Sequence, residues 1–200
     1  MSTLLPRPFS RHDGTQPRKD TYRTTDGGGV TEMRILLTLF IPGLGLTPMI
    51  RQDQDYAKLL NEAKITLAQA VELGIKDSKT PRIAMEAWIE EDRGKKHFIV
   101  NGAQEDRIFG VTLDLAEGKV LLTGVGKADR SAEAKTFKLT LSEAIQAALK
   151  QEKGQAVRAK FELTDAKKPQ GTVRIFNNGK IRIVTLDGET GKIISAKDGP

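Results

Sequence analysis

The feature that most constrains this chain is an internal repeat, because a duplicated unit of fixed period admits only folds that contain one supersecondary pattern twice. Lys64-Ile65-Thr66-Leu67-Ala68-Gln69-Ala70-Val71-Glu72 aligns without a gap on Lys138-Leu139-Thr140-Leu141-Ser142-Glu143-Ala144-Ile145-Gln146, an offset of 74 residues. Farther on, Val111-Thr112-Leu113-Asp114-Leu115-Ala116-Glu117-Gly118-Lys119-Val120-Leu121 aligns on Val184-Thr185-Leu186-Asp187-Gly188-Glu189-Thr190-Gly191-Lys192-Ile193-Ile194 at an offset of 73. Two distant blocks at nearly one offset define a duplicated unit of roughly 60 residues, joined near residues 124–134.

Each unit can be built from local rules. Thr66 with Gln69, and Thr140 with Glu143, are capping boxes in which side chains satisfy the orphan amides of a helix start. Leu67, Ala70 and Val71 in one unit, and Leu141, Ala144, Ile145 and Ala148 in the other, follow as apolar stripes at helical spacing. Gly74 and the stretch 151–154 end these helices. Period-two alternation then predicts strands with Ile83, Met85, Ala87 and Ile89, and Val157, Ala159, Phe161 and Leu163, on their apolar faces. Turns at 91–94 and 165–171 lead into second strands at 97–101 and 172–176. Asn178-Gly179 is a two-residue hairpin signal opening a strand at 180–186, where the first unit has residues 102–106. Turns at 114–118 and 187–191 precede short last strands at 120–121 and 193–194. A further helix over 54–63 precedes the first unit. The expected fold class is α+β, two tandem units, each a helix packed on a small antiparallel sheet. The units occupy residues 53–124 and 135–200, and each is marginal in size alone, so they are expected to support each other.

The start of the chain has a different texture. Residues 1–32 mix Pro, Gly, Ser, Thr and single charges without apolar periodicity, and are read as an upstream segment, disordered or outside the translated protein. Met33-Arg34 is followed by sixteen uncharged residues, 35–50. That run is short of the about 20 apolar residues a membrane span needs, and Pro42, Gly43, Gly45 and Pro48 interrupt it. Residues 33–52 read as a signal peptide starting at Met33, which sends the protein to the periplasm or outside the cell without a stable membrane span. A buried segment of a cytoplasmic protein is the alternative.

The Ile-Thr-Leu-x-x-Ala-Val and Leu-Thr-Leu-x-x-Ala-Ile helix starts, the charged alternating strands and the closing Val-Thr-Leu-Asp-x-x-x-Gly-Lys-Val/Ile motif, in this order and twice, resemble the PepSY domain family over residues 64–124 and 136–197. Asp187-Gly188-Glu189-Thr190-Gly191-Lys192 is similar to the family's closing turn, and the first unit departs from it with Leu115-Ala116-Glu117 before Gly118. The resemblance implies an extracytoplasmic module of the kind found in thermolysin-like peptidase propeptides and bacterial envelope proteins, one that binds or restrains peptidases. It carries over no catalytic residue.

Composition removes most chemistry independently. The chain has no cysteine and two histidines, His12 and His97, so thiolate sites, disulfides and histidine-rich metal clusters are excluded. Asp114 and Asp187 recur between the units, as turn aspartates do, with no base, nucleophile or metal ligand beside them. His97 is a lone strand histidine whose counterpart is Thr172, and Gly27-Gly28-Gly29 lacks the context of a phosphate loop. We therefore expect no enzyme, no cofactor and no metal. Charge divides by unit: residues 53–130 hold 12 basic and 14 acidic side chains, net −2, whereas 131–200 hold 13 and 8, net +5. Without exposed aromatics interleaved among the basic residues, nucleic acid is not an expected partner.

A protein is, with a peptidase the partner the resemblance points to. The candidate partner-binding residues are Trp88, Glu86, Glu90, Ile99, Arg158, Lys160 and Arg174, all on the predicted outer faces of the strands. A ligand- or metal-responsive periplasmic sensor using a groove between the units, and a structural spacer, are the alternative functions. The outer faces, with Glu86, Trp88, Glu90, Ile99 and Ile108 on one and Arg158, Lys160, Arg174, Ile181 and Ile183 on the other, oppose acidic to basic, and packing them face to face is the expected arrangement. The competing arrangement leaves both open.

Overall fold

The computed structural model of the protein describes residues 55–76 and 78–200; the upstream segment 1–32 and the signal-like segment 33–52 lie outside the described residues. Helix α1 (Tyr56–Glu62) is capped by Asp55, whose carboxylate accepts the Lys58 amide at 3.1 Å. Helix α2 (Leu67–Lys76) starts where its capping box predicts, with the Thr66 amide on Gln69 Oε1 at 2.8 Å and the Gln69 amide on Thr66 Oγ1 at 3.2 Å. Four antiparallel strands follow, β1 (Arg82–Asp92), β2 (Lys95–Gln104), β3 (Arg107–Asp114) and β4 (Val120–Gly126). A short helix α3 (Ser131–Ala134), which no sequence signal announced, leads to α4 (Leu141–Gln151) and strands β5 (Gln155–Leu163), β6 (Pro169–Asn177), β7 (Lys180–Asp187) and β8 (Ile193–Asp198). Arg93-Gly94 and Asn178-Gly179 turn their hairpins with positive φ at both positions, the backbone that matches the strands' right-handed twist.

The expectation of two tandem units, each with its own small sheet, is overturned. All eight strands form one sheet in the order β4-β3-β2-β1-β5-β6-β7-β8. The seam is antiparallel pairing of β1 with β5, where Glu86 faces Lys160, Ala87 faces Ala159 and Trp88 faces Arg158. The physical reason is the edge. Separate meanders would leave β1 and β5 with rows of unpaired N–H and C=O groups, and pairing them satisfies the middle of both rows at once.

Bulges between Ala84 and Glu86 in β1, and between Ala156 and Arg158 in β5, sit at equivalent places and set the repeat offset here at 72 residues, the separation of Glu86 from Arg158. Ala87 and Ala159 are therefore repeat equivalents that also face each other, which puts a pseudo-two-fold axis through their pair. The first bulge also corrects the expected apolar face of β1: Ala84 is buried and Ile83 only half-buried.

One core serves both repeats. Val100 lies directly under Gly74 of α2, so the β2 face bearing Phe98 and Val100 is the helix-covered one. Cross-strand pairing carries that face through Ala87, Ala159, Val173 and Val184, each at most 1% exposed. Helices α2 and α4 pack on each other there, and the Ser142 hydroxyl donates to Glu72 Oε1 at 2.7 Å between them. Phe137 stacks on the fully buried Phe161, ring centroids 4.5 Å apart. No helix among the described residues is long and apolar enough to cross a membrane.

Candidate functional site

Strand alternation decides which side chains are available. With Ala87 and Ala159 turned to the helices, Glu86, Trp88, Glu90, Arg158 and Lys160 project from the opposite face, as do Ile99 between Phe98 and Val100 and Arg174 between Val173 and Ile175. All seven candidate residues thus share one face of one sheet, and all are half-buried. The expected face-to-face packing of two outer faces is corrected here: the lists lie side by side across the β1–β5 seam, because the repeats join by strand pairing.

Register arranges them in rows. Ile99, Trp88, Arg158 and Arg174 are successive cross-strand neighbours on β2, β1, β5 and β6. The row continues through Thr112 to Leu122 on one side and through Ile183 to Lys197 on the other, spanning all eight strands. In the next row Glu86 faces Lys160 across the seam, flanked by Asn101 and Thr172. Sequence reasoning found the centre of this surface and missed its length, since Thr112, Leu122 and Lys197 join it only through non-local pairing.

Hydrogen bonds fix the centre. Arg158 donates to Glu86 Oε1 through Nε at 3.1 Å and also through Nη2, with the two side chains 18% and 17% exposed. The same guanidinium lies 6.0 Å from the Trp88 ring centroid, within range of a cation–π contact. The Trp88 indole N–H donates to Glu90 Oε2 at 2.8 Å, and Lys160 Nζ donates to Glu162 Oε2 at 2.7 Å. Tyr56 of α1 tilts onto Phe176 with centroids 6.0 Å apart; burial raises its hydroxyl pKa while the charges of Arg174 and Arg158 oppose the rise. The result is a held indole beside a neutralised Arg–Glu pair, bordered by aliphatic Ile99 and basic Arg174.

The remaining sequence candidates take structural roles. Asp187 Oδ1 accepts the amides of Glu189 at 3.0 Å and Thr190 at 2.8 Å, and these bonds hold its carboxyl below the usual range. Asp114 Oδ1 accepts the Glu117 amide at 2.7 Å in the equivalent turn. His97 is a cross-strand neighbour of both Glu90 and Asp114. Among the described residues, no group of three or more His, Asp or Glu is placed to hold a metal ion. The arrangement can recognise a surface.

No family model matches the sequence, and no curated protein matches it. A solved structure of a candidate lipoprotein from Clostridium difficile 630 is similar in part, at 16% identity and a TM-score of 0.38, over 59% of this chain and 83% of that one. A likeness at that score carries no argument about fold or function.

Proposed function

We propose that the protein is a non-enzymatic, exported module of PepSY type that binds a protein partner, a peptidase, on the sheet face away from α2 and α4. The observation that carries this reading is the row Ile99–Trp88–Arg158–Arg174, which sets an indole between an aliphatic and a basic neighbour on the face away from α2 and α4. Tryptophan and arginine dominate binding energy at interfaces, and a partner offering an apolar side chain flanked by a carboxylate fits this row. The sequence motifs support the peptidase, and residues 33–52 support export. The groove on which a sensor would rely lies where β1 and β5 hydrogen-bond and α2 meets α4.

The test is inhibition of a purified thermolysin-like metallopeptidase by the full chain. Inhibition is expected in stoichiometric amounts, with Trp88→Ala and Arg174→Glu each weakening it about tenfold or more. An unaffected peptidase would remove the peptidase from the reading, and inhibition indifferent to both substitutions would remove that face.

A further inference from the structure

The two repeats end in equivalent last strands, and these form the two edges of the sheet. They are not equally protected. Strand β8 carries Lys197 and Asp198, and Asp198 is held by Arg182 Nη1 at 2.8 Å, the kind of charge that discourages a further strand from adding. Strand β4 reads Val-Leu-Leu-Thr-Gly-Val-Gly, with no charge and no proline. Leu121 is 54% exposed, Leu122 46% and Val125 49%, and no described strand lies on its outer side. A bulge falls at Leu121, where the pairing with β3 shifts, and leaves residues 122–126 as a straight segment longer than the three-residue seam that joins β1 to β5.

We infer that β4 pairs antiparallel with β4 of a second copy of this chain, giving a two-fold dimer with one sheet running through both molecules. Three observations favour a second copy over an unrelated extended segment. A two-fold antiparallel pairing brings the residues nearest its axis beside their own counterparts, and because β4 is uncharged along its whole length no register of that pairing opposes like charges. Among the described residues each chain has one bare edge and one blunted edge, so isologous pairing of β4 consumes the bare edge and closes at two copies. The seam between β1 and β5 shows that this repeat already joins by antiparallel edge pairing about a two-fold axis. In the dimer, the row from Trp88 through Ile99 and Thr112 to Leu122 reaches the partner copy directly. This inference stands apart from the peptidase reading, since β4 lies at the sheet's margin and holds none of the seven candidate residues.

The chain has no cysteine, so single cysteines can be introduced and spin-labelled cleanly. Sedimentation velocity of the full chain should show a monomer–dimer equilibrium at micromolar concentration. Leu122→Lys should weaken it by about tenfold or more through lost apolar contact and the charge it places on the pairing edge, and Ile194→Lys on β8 should leave it unchanged. Nitroxides at residue 122 should lie within about 20 Å of each other in the dimer. Nitroxides at residue 194 should be roughly 70 Å apart, the width of fifteen strand spacings. A monomer at all concentrations, a dimer indifferent to Leu122→Lys, a short distance at 194, or a β4 edge that pairs only with added extended peptide would each overturn the inference.

Discussion

Glu143 closes the cap of α4 by accepting the Thr140 amide at 2.8 Å and the Thr140 hydroxyl at 2.9 Å, and these bonds hold its carboxyl below the usual glutamate range. A folded-state pKa depressed in this way contributes stability that is complete above the unfolded value, about 4.3, and is lost as pH falls through the folded value. Asp129, Asp187 and Asp198 are lowered as well, by hydrogen bonds to Ser131, Thr190 and Arg182 respectively, so the whole chain loses stability in the same acid window. Thr140→Ala should cost about 1 kcal/mol at pH 7. In urea denaturation the gap between variant and parent should narrow as pH falls through the folded-state value and the Glu143 carboxylate is protonated; a gap constant with pH would show that the bond between the Thr140 hydroxyl and Glu143 adds nothing to the cap. These caps were legible because donor and acceptor lie three residues apart. The Arg158–Glu86 pair was not, since its partners are 72 residues apart and meet only through the seam.

At the scale of the element, the alternating pattern placed the strands and the bulges corrected it. Gly102 sits opposite Ala84 beside the β1 bulge, and a Cβ there would lie 2.0 Å from the Ile83 carbonyl oxygen and 2.9 Å from the Ala84 Cα. Both are backbone atoms, so no rotamer change relieves them. Gly102→Ala should destabilise the protein by about 3 kcal/mol or more, measured as a lowered denaturation midpoint, whereas Gly124→Ala, with open space around its Cβ, should stay within about 0.5 kcal/mol. Equal effects would show that the bulge relaxes around a side chain. The strands also outran their sequence signals: β4 extends over Val120–Gly126 where two residues were expected, because pairing with β3 organises residues whose own composition announces little.

For the whole molecule, the seam and the α2–α4 contact make one cooperative unit from two repeats. Unfolding should be a single transition, with the fluorescence of Trp88, which reports the first repeat, coinciding with far-UV circular dichroism, which reports both. A dichroism signal that retains its second half after the fluorescence change would show independent repeats. An excised repeat would expose the β1 or β5 edge and half of the shared core, and a piece of roughly 60 residues buries too little surface to offset that. The +5 and −2 halves meet at this seam, where Glu86 and Arg158, equivalent positions of opposite sign, pair with each other.

The duplication was legible as a repeat, and the helix caps, the Asp114 and Asp187 turns, the alternation of β1 beyond its bulge and of β5, and the outward position of Trp88 were determined by residues within a few positions of one another, where local hydrogen bonding and side-chain period act alone. Whether the two meanders would stack, stand apart or join was decided only in three dimensions. An edge strand and a central strand can carry the same alternating pattern, and the choice between them rests on which distant backbone groups are left to pair. That single decision merged two expected sheets into one, put acidic and basic outer faces side by side, and left β4 as the uncharged edge.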